Sequence, residues 1–228
     1  MSTRAPRAVI RGLAAGRESG TLAVPLALHV SARIQERDAE AFVYDATQLA
    51  NALRDLIEAV DPDGVPVSDV EVLLANCTTA EQMLGSEQLK AALEATRRLR
   101  SSYGDAIALV AVVPGPATIA SRLGADGPAA ADAVVTLGKE FLAAGTDVII
   151  VDDVTEAPGV SLSTLANVAR FHQGVALTHA VQRYGLAAAT PVELEAPTTV
   201  PGVAVTSVSL ARDTDIAVLS DWVSTVRG

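Results

Sequence analysis

Seven apolar runs of this chain each carry, or stop at, residues with acid/base or hydrogen-bonding chemistry. His29 closes the first. Ser68 and Asp69 lie in the second, and Pro114, Gly115 and Pro116 follow the third. Asp152 and Asp153 end the fourth, in the stretch GTDVIIVDDVTEAP, and Thr178 and His179 end the fifth. Glu193 and Glu195 lie on the sixth, Ser207 and Ser209 on the seventh. An ionised carboxylate only accepts hydrogen bonds, so it suits N–H donors or a developing cation. An imidazole moves protons near neutral pH. If the runs are strands whose ends gather at one mouth, the result is an apolar cup with a polar rim, as a small-molecule site requires.

Each residue also has a purely architectural reading. Asp152 and Asp153 are neighbours, so on a strand they point to opposite faces. At most one of them faces a pocket, and either could cap a turn. His29 is a pocket residue or a buried, hydrogen-bonded one. His179 ends an apolar run and is expected at the mouth; His172 belongs to a helix and to the surface. Glu193 and Glu195 share one strand face, and pointing inward they would need partners. Asp69, Asp153, Glu195 and His179 could assemble a carboxylate-rich metal site, but their spacing does not demand it and no metal is assigned. The chain has no G-x-S-x-G, no H-E-x-x-H and no P-loop.

The elements that must position these residues alternate. Strands are expected over 21–30, 65–74, 106–113, 147–151, 174–180, 190–197 and 202–210. Helices are expected over 38–60, 86–104, 117–123, 127–145, 161–173, 181–186 and 212–227. Apolar residues at helical spacing carry the second half of 38–60, and Ser86 and Gly104 bracket 86–104 as start and stop signals. The continuous apolar runs at 106–113 and 147–151 fit strands buried on both faces. This alternation implies parallel βαβ units in a single domain over residues 1–228. The fold class is α/β, and seven strands come close to a (β/α)8 barrel. The rival dinucleotide fold lacks its glycine fingerprint after the first strand.

Composition narrows the partners. Half of the residues are hydrophobic but only 3% are aromatic, so stacking platforms for single-stranded nucleic acid are not expected. The net charge of −10 would repel phosphate backbones and anionic membranes. Cys77 is the single cysteine, which excludes an internal disulfide and a thiolate zinc cage within one chain. No apolar run approaches the ~18 residues of a membrane span and none reads as a signal peptide, so a cytoplasmic location is expected.

The order of several segments resembles the uroporphyrinogen decarboxylase-like superfamily. RAVIRGLAAGRESGTLAVPLAL is similar to its opening helix and first strand, and YDATQLANALRDLIEAVDPDGVPVSD to the helix leading to a strand that ends in Asp. VVPGPATIASRL and FLAAGTDVIIVDD are similar to its Gly-Pro turn and its strand ending in Asp. The resemblance covers roughly residues 7–180 and implies a (β/α)8 barrel, here shortened or incomplete at the C-terminal end. In the decarboxylases an arginine-bearing stretch after the first strand clamps substrate carboxylates; this chain has HVSARIQ there, with Arg33 alone. Asp69 matches the aspartate that holds pyrrole N–H groups. The methyltransferases of the group hold zinc with His-x-Cys and a distant Cys. His179 lines up, but Val181 stands two residues on and Cys77 lies elsewhere.

The expectation is therefore a cofactor-free acid/base site on a small organic or tetrapyrrole-like substrate, with decarboxylase or other lyase chemistry. Asp69, Asp153 and His179 would be catalytic. His29, Arg33, Ser68, Gly115, Asp152 and Glu195 would contact the substrate. The alternatives are a corrinoid- or thiol-linked methyltransferase and a non-catalytic binding barrel. A homodimer is expected, because an open barrel would expose strand edges.

Overall fold

Pro25 has no N–H to give to a ladder, and the first strand, β1 (Thr21–Val24), stops just before it. The chain then turns, with the Ala27 N–H donating to the Pro25 carbonyl at 2.8 Å, and enters helix α2 (Leu28–Ile34). His29 therefore sits on a helix rather than at a strand end. The computed structural model describes residues 5–17, 20–34, 41–179 and 181–228.

The elements follow in a βα rhythm. Helix α1 (Pro6–Ala14) precedes β1, and a short 3-10 turn (Phe42–Tyr44) and α3 (Ala46–Val60) follow α2. Asp45 starts α3 by accepting from the N–H groups of Thr47 and Gln48. Strand β2 (Gly64–Ser68) gives way at once to α4 (Val70–Leu74), because Asp69 caps that helix and ends the strand expected through residue 74. Then come α5 (Ala80–Leu84), α6 (Glu87–Tyr103), β3 (Ala108–Pro114), α7 (Pro116–Leu123), α8 (Gly127–Ala144), β4 (Val148–Asp152), α9 (Ser163–Phe171) and β5 (Val175–Thr178). A side chain at Gly138 would meet the Leu165 Cδ1 at 2.3 Å, so this glycine is what lets α9 lie against α8.

Beyond β5 the pattern thins. Residues 181–186 form no helix. Arg183 and Leu186 bridge across a turn in which Tyr184 and Gly185 take φ of +55° and +76°. Strands β6 (Ala187–Ala188), β7 (Thr190–Val192) and β8 (Gly202–Thr206) follow with no helix between them, and α10 (Ile216–Arg227) closes the order.

Among the described residues all strand ladders are parallel. One sheet runs β2-β3-β4-β5-β6 and the other β1-β8-β7. Ala187–Val192 joins them: its first half pairs with β5 and its second half with β8, with Ala189 between. At the opposite seam β1 and β2 share no ladder. Asp63 links them, its N–H donating to the Ala23 carbonyl at 3.1 Å and its carboxylate accepting from the Ala23 N–H at 2.8 Å. The arrangement is barrel-like, with β6 and β7 as halves of one pass.

Alternating strand residues feed two cores. Leu22 and Val24, Val110 and Val112, Val148 and Ile150, and Val203 and Val205 meet in one inner cluster, with Val9 and Ile10 of α1 against it. The partners of the alternate faces, such as Val65, Leu109, Ile149 and Ala204, pack under the surrounding helices. Arg7 and Arg11 fasten α1 across the start of the strands. Arg7 Nε bonds Asp147 at 2.9 Å, and both arginines reach Asp105 at 3.0 Å. Arg100 also pairs with Asp147, whose side chain is 4% exposed. Among the described residues no helix is long and apolar enough to cross a membrane.

Candidate functional site

Parallel strands bring their C-terminal ends to one side, and the β3–β4 register sets Pro114 opposite Asp152. A cavity of about 620 Å³ opens there. Asp69, Asp152 and His29 line it, and so do Ser209 from the segment after β8 and Ser121 and Arg122 of α7. Val70 and Leu210 supply apolar wall.

Asp69 is nine-tenths buried, and each of its carboxylate oxygens accepts a hydrogen bond. One carboxylate oxygen accepts from the Glu71 N–H and the other from the Ser209 hydroxyl, both at 2.9 Å. The His29 Nε2 stands 3.9 Å from the first oxygen. Burial works to raise this carboxyl, but the His29 ring, the Ser209 hydroxyl and the Glu71 N–H outweigh it and hold it below the ordinary carboxylate value. Ser209 is in place because the Leu210 N–H donates to the Leu26 carbonyl at 2.9 Å, while the Leu26 N–H donates to the Thr206 hydroxyl at 3.1 Å.

Asp152 is the second carboxylate of the cavity. The His179 Nδ1 lies 3.4 Å from it, and the Nε2 lies 3.4 Å from the Thr206 carbonyl. Both ring nitrogens thus face acceptors, a geometry that favours the doubly protonated ring. The Asp152 hydrogen bond raises the His179 pKa against the opposing effect of burial. His179 ties the ends of β4, β5 and β8 together and holds Asp152; it is not itself part of the cavity lining.

Asp153 turns the other way and differs from its expected catalytic placement. Its carboxylate accepts from the Ala117 N–H at 3.0 Å and the Thr118 N–H at 2.8 Å, which caps the start of α7. The buried Tyr184 hydroxyl donates to the same carboxylate. Burial, and then this carboxylate, push the Tyr184 hydroxyl up to about 12. Gly115 belongs to this capping arrangement, because a Cβ there would lie 2.2 Å from the Asp153 Oδ2.

The remaining expected residues scatter. Arg33 donates to the carbonyls of Asp213 and Thr214 at 2.9 and 2.6 Å, which fixes the approach to α10. Ser68 is buried, and its hydroxyl donates to the Val112 carbonyl at 2.9 Å. There the β2–β3 register shifts past Pro66, which has no N–H. Glu195 is exposed in a bend after β7 ends at Val192, so it is not a strand residue. Glu71 and Arg122, unremarked in the sequence, pair at 2.6 Å on the cavity wall. Tyr184 was also missed, since its partner Asp153 is 31 residues away and no local pattern joins them.

A zinc–thiolate centre does not fit these side chains. Val181, two residues after His179, is exposed. The Cys77 Sγ lies 3.4 Å from the Ala75 carbonyl, and burial pushes its thiol up, away from the thiolate a metal needs. Among the described residues no group of three His, Cys, Asp or Glu could hold a metal.

Comparison with known proteins gives a likeness of fold. No protein-family model and no curated protein sequence matches the chain. Among solved structures, a methyltransferase from Methanosarcina mazei superposes with a TM-score of 0.60 at 14% identity, over 78% of this chain and 70% of that one. At that identity the likeness is one of fold alone.

Proposed function

We propose that the chain is a methyltransferase-like member of this fold group, acting on a small organic molecule with a cationic or N–H-rich head. In this reading the two sheets are a (β/α)8-type barrel reduced to seven passes. The observation that carries it is the open cavity in which Asp69 and Asp152 stand on the rim, each with a histidine within 3.9 Å. Among the described residues, three carboxylates (Asp69, Glu71, Asp152) face it against one guanidinium, Arg122, which Glu71 already engages. Such a wall favours a cation over a polycarboxylate and does not suit a tetrapyrrole decarboxylase. An unplugged mouth also argues against a barrel that merely scaffolds.

The chemistry follows from where charge moves. The cationic donor sits between Asp69 and Asp152. The acceptor's nucleophilic atom attacks the methyl carbon, the bond from the donor heteroatom to that carbon breaks, and the donor leaves neutral. The acceptor's proton passes to His29, the histidine that faces the cavity. Positive charge thereby moves from the donor to the imidazolium, beside the Asp69 carboxylate, which stabilises it. Asp152 holds the donor and His179 holds Asp152.

Calorimetric titration with small methylated ammonium ions and with small dicarboxylates tests the reading. Ammonium binding that is lost in Asp69→Asn is expected, followed by transfer of an isotopically labelled methyl group to a thiol or amine acceptor. A site that takes the dicarboxylates and ignores the ammonium ions overturns it.

A further inference from the structure

A second cavity, of about 440 Å³, lies against the first. It shares His29 and Glu71 with it, so these two side chains border both cavities. Its far side is of different character. Val43, Val72 and Ala75 make it apolar, and Tyr44 and Asn76 give it one polar corner. The Asn76 Nδ2 donates to the Tyr44 hydroxyl at 3.3 Å. Asn76 reaches that position from a left-handed backbone, φ +60°, which asparagine tolerates better than most residues. Among the described residues Glu71 is the only carboxylate on this side, and Arg122 already engages it.

We propose that this side cavity is the second half of the binding site, and that the ligand has two parts. Resting on the cationic-head reading above, the head occupies the space between Asp69 and Asp152. An uncharged tail passes His29 into the side cavity. The tail is chiefly apolar, against Val43, Val72 and Ala75, and carries a hydrogen-bonding atom for Tyr44 and Asn76. Tyr44 and Asn76 are then specificity-determining residues, and a small head alone would fill only part of the site.

The test is a series of alkyltrimethylammonium ions with tails of increasing length, measured by calorimetry against the native chain, Ala75→Trp and Asp69→Asn. The expected result in the native chain is a gain of up to about fourfold in affinity per methylene that enters the side cavity. Ala75→Trp fills that cavity and flattens the dependence on length. A terminal hydroxyl on the tail adds affinity, and Tyr44→Phe, a conservative change at a partly exposed position, cancels the addition. Binding that depends on Asp69 but is flat in tail length overturns the second half of the site and leaves the first standing. A length dependence that persists in Ala75→Trp overturns it as well. Failure of every ammonium ion to bind overturns the head reading and the tail with it. Far-ultraviolet circular dichroism of each variant confirms that the fold is retained.

Discussion

The Asp153 carboxylate occupies the space that a side chain on Gly115 would need: a Cβ there would stand 2.2 Å from one oxygen and 2.8 Å from the other. The backbone at 115 is ordinary extended chain, φ −81°, so the requirement for glycine is one of room and not of dihedral angle. Gly115→Ala must push the carboxylate off the start of α7 and away from Tyr184. A loss of about 3 kcal/mol is expected, from broken bonds to a charged group and a lost helix cap. Urea unfolding measures it, and a loss below about 1 kcal/mol would mean that the loop yields freely.

Asp69→Asn separates binding from folding. Asparagine also caps helices, so stability should stay within about 1 kcal/mol of native, while affinity for a cationic ligand falls by about tenfold or more. The folded carboxyl lies below its ordinary value. Its contribution is thus present above the unfolded pKa and is lost as pH falls through the folded one. Native protein should lose more stability than Asp69→Asn on acidification below the ordinary carboxylate range, as read from unfolding free energy against pH.

The opposite sign applies to His179. Its folded pKa is raised by Asp152. The contribution is therefore full below the ordinary histidine value and fades as pH rises through the folded one. Across neutral and mildly alkaline pH the native protein should lose stability that His179→Gln does not lose. Parallel curves for the two proteins would mean that the Asp152–His179 contact adds nothing to the fold.

At the other end of the strands, Asp147→Ala should cost about 3–5 kcal/mol, because it leaves the half-buried Arg100 without its carboxylate. Arg11→Ala removes only an exposed pair with Asp105 and should cost less than about 1 kcal/mol. Thermal denaturation of both variants checks the contrast. Similar losses would show that α1 docking, rather than burial of charge, sets the scale.

What the sequence made legible was local. Ser86 and Gly104 mark α6 because capping is decided within one turn. The apolar run ending at Asp152 marks β4 because a strand buried on both faces needs no periodicity. Pro25 and Asp69 each cut short a strand that apolar content alone would prolong, and so His29 was misplaced. The choice between Asp152 and Asp153 could not be made from spacing, since strand alternation says that they diverge without saying which faces inward. That is settled by groups far along the chain: His179 for one, the amides of α7 and the Tyr184 hydroxyl for the other. Glu195 was misread because two alternating glutamates imitate a strand face, yet the ladder stops at Val192.

Ala187–Val192 serves two ladders with one short stretch of chain, in register with β5 on one side and β8 on the other. Adding or deleting a single residue there would throw one of the two pairings onto the wrong face, whichever way the chain tried to compensate. Length variation among descendants of this chain should therefore collect in the bend and loop after Val192 and leave those six positions constant in number, so that the stretch acts as a fixed splice between two halves otherwise free to drift.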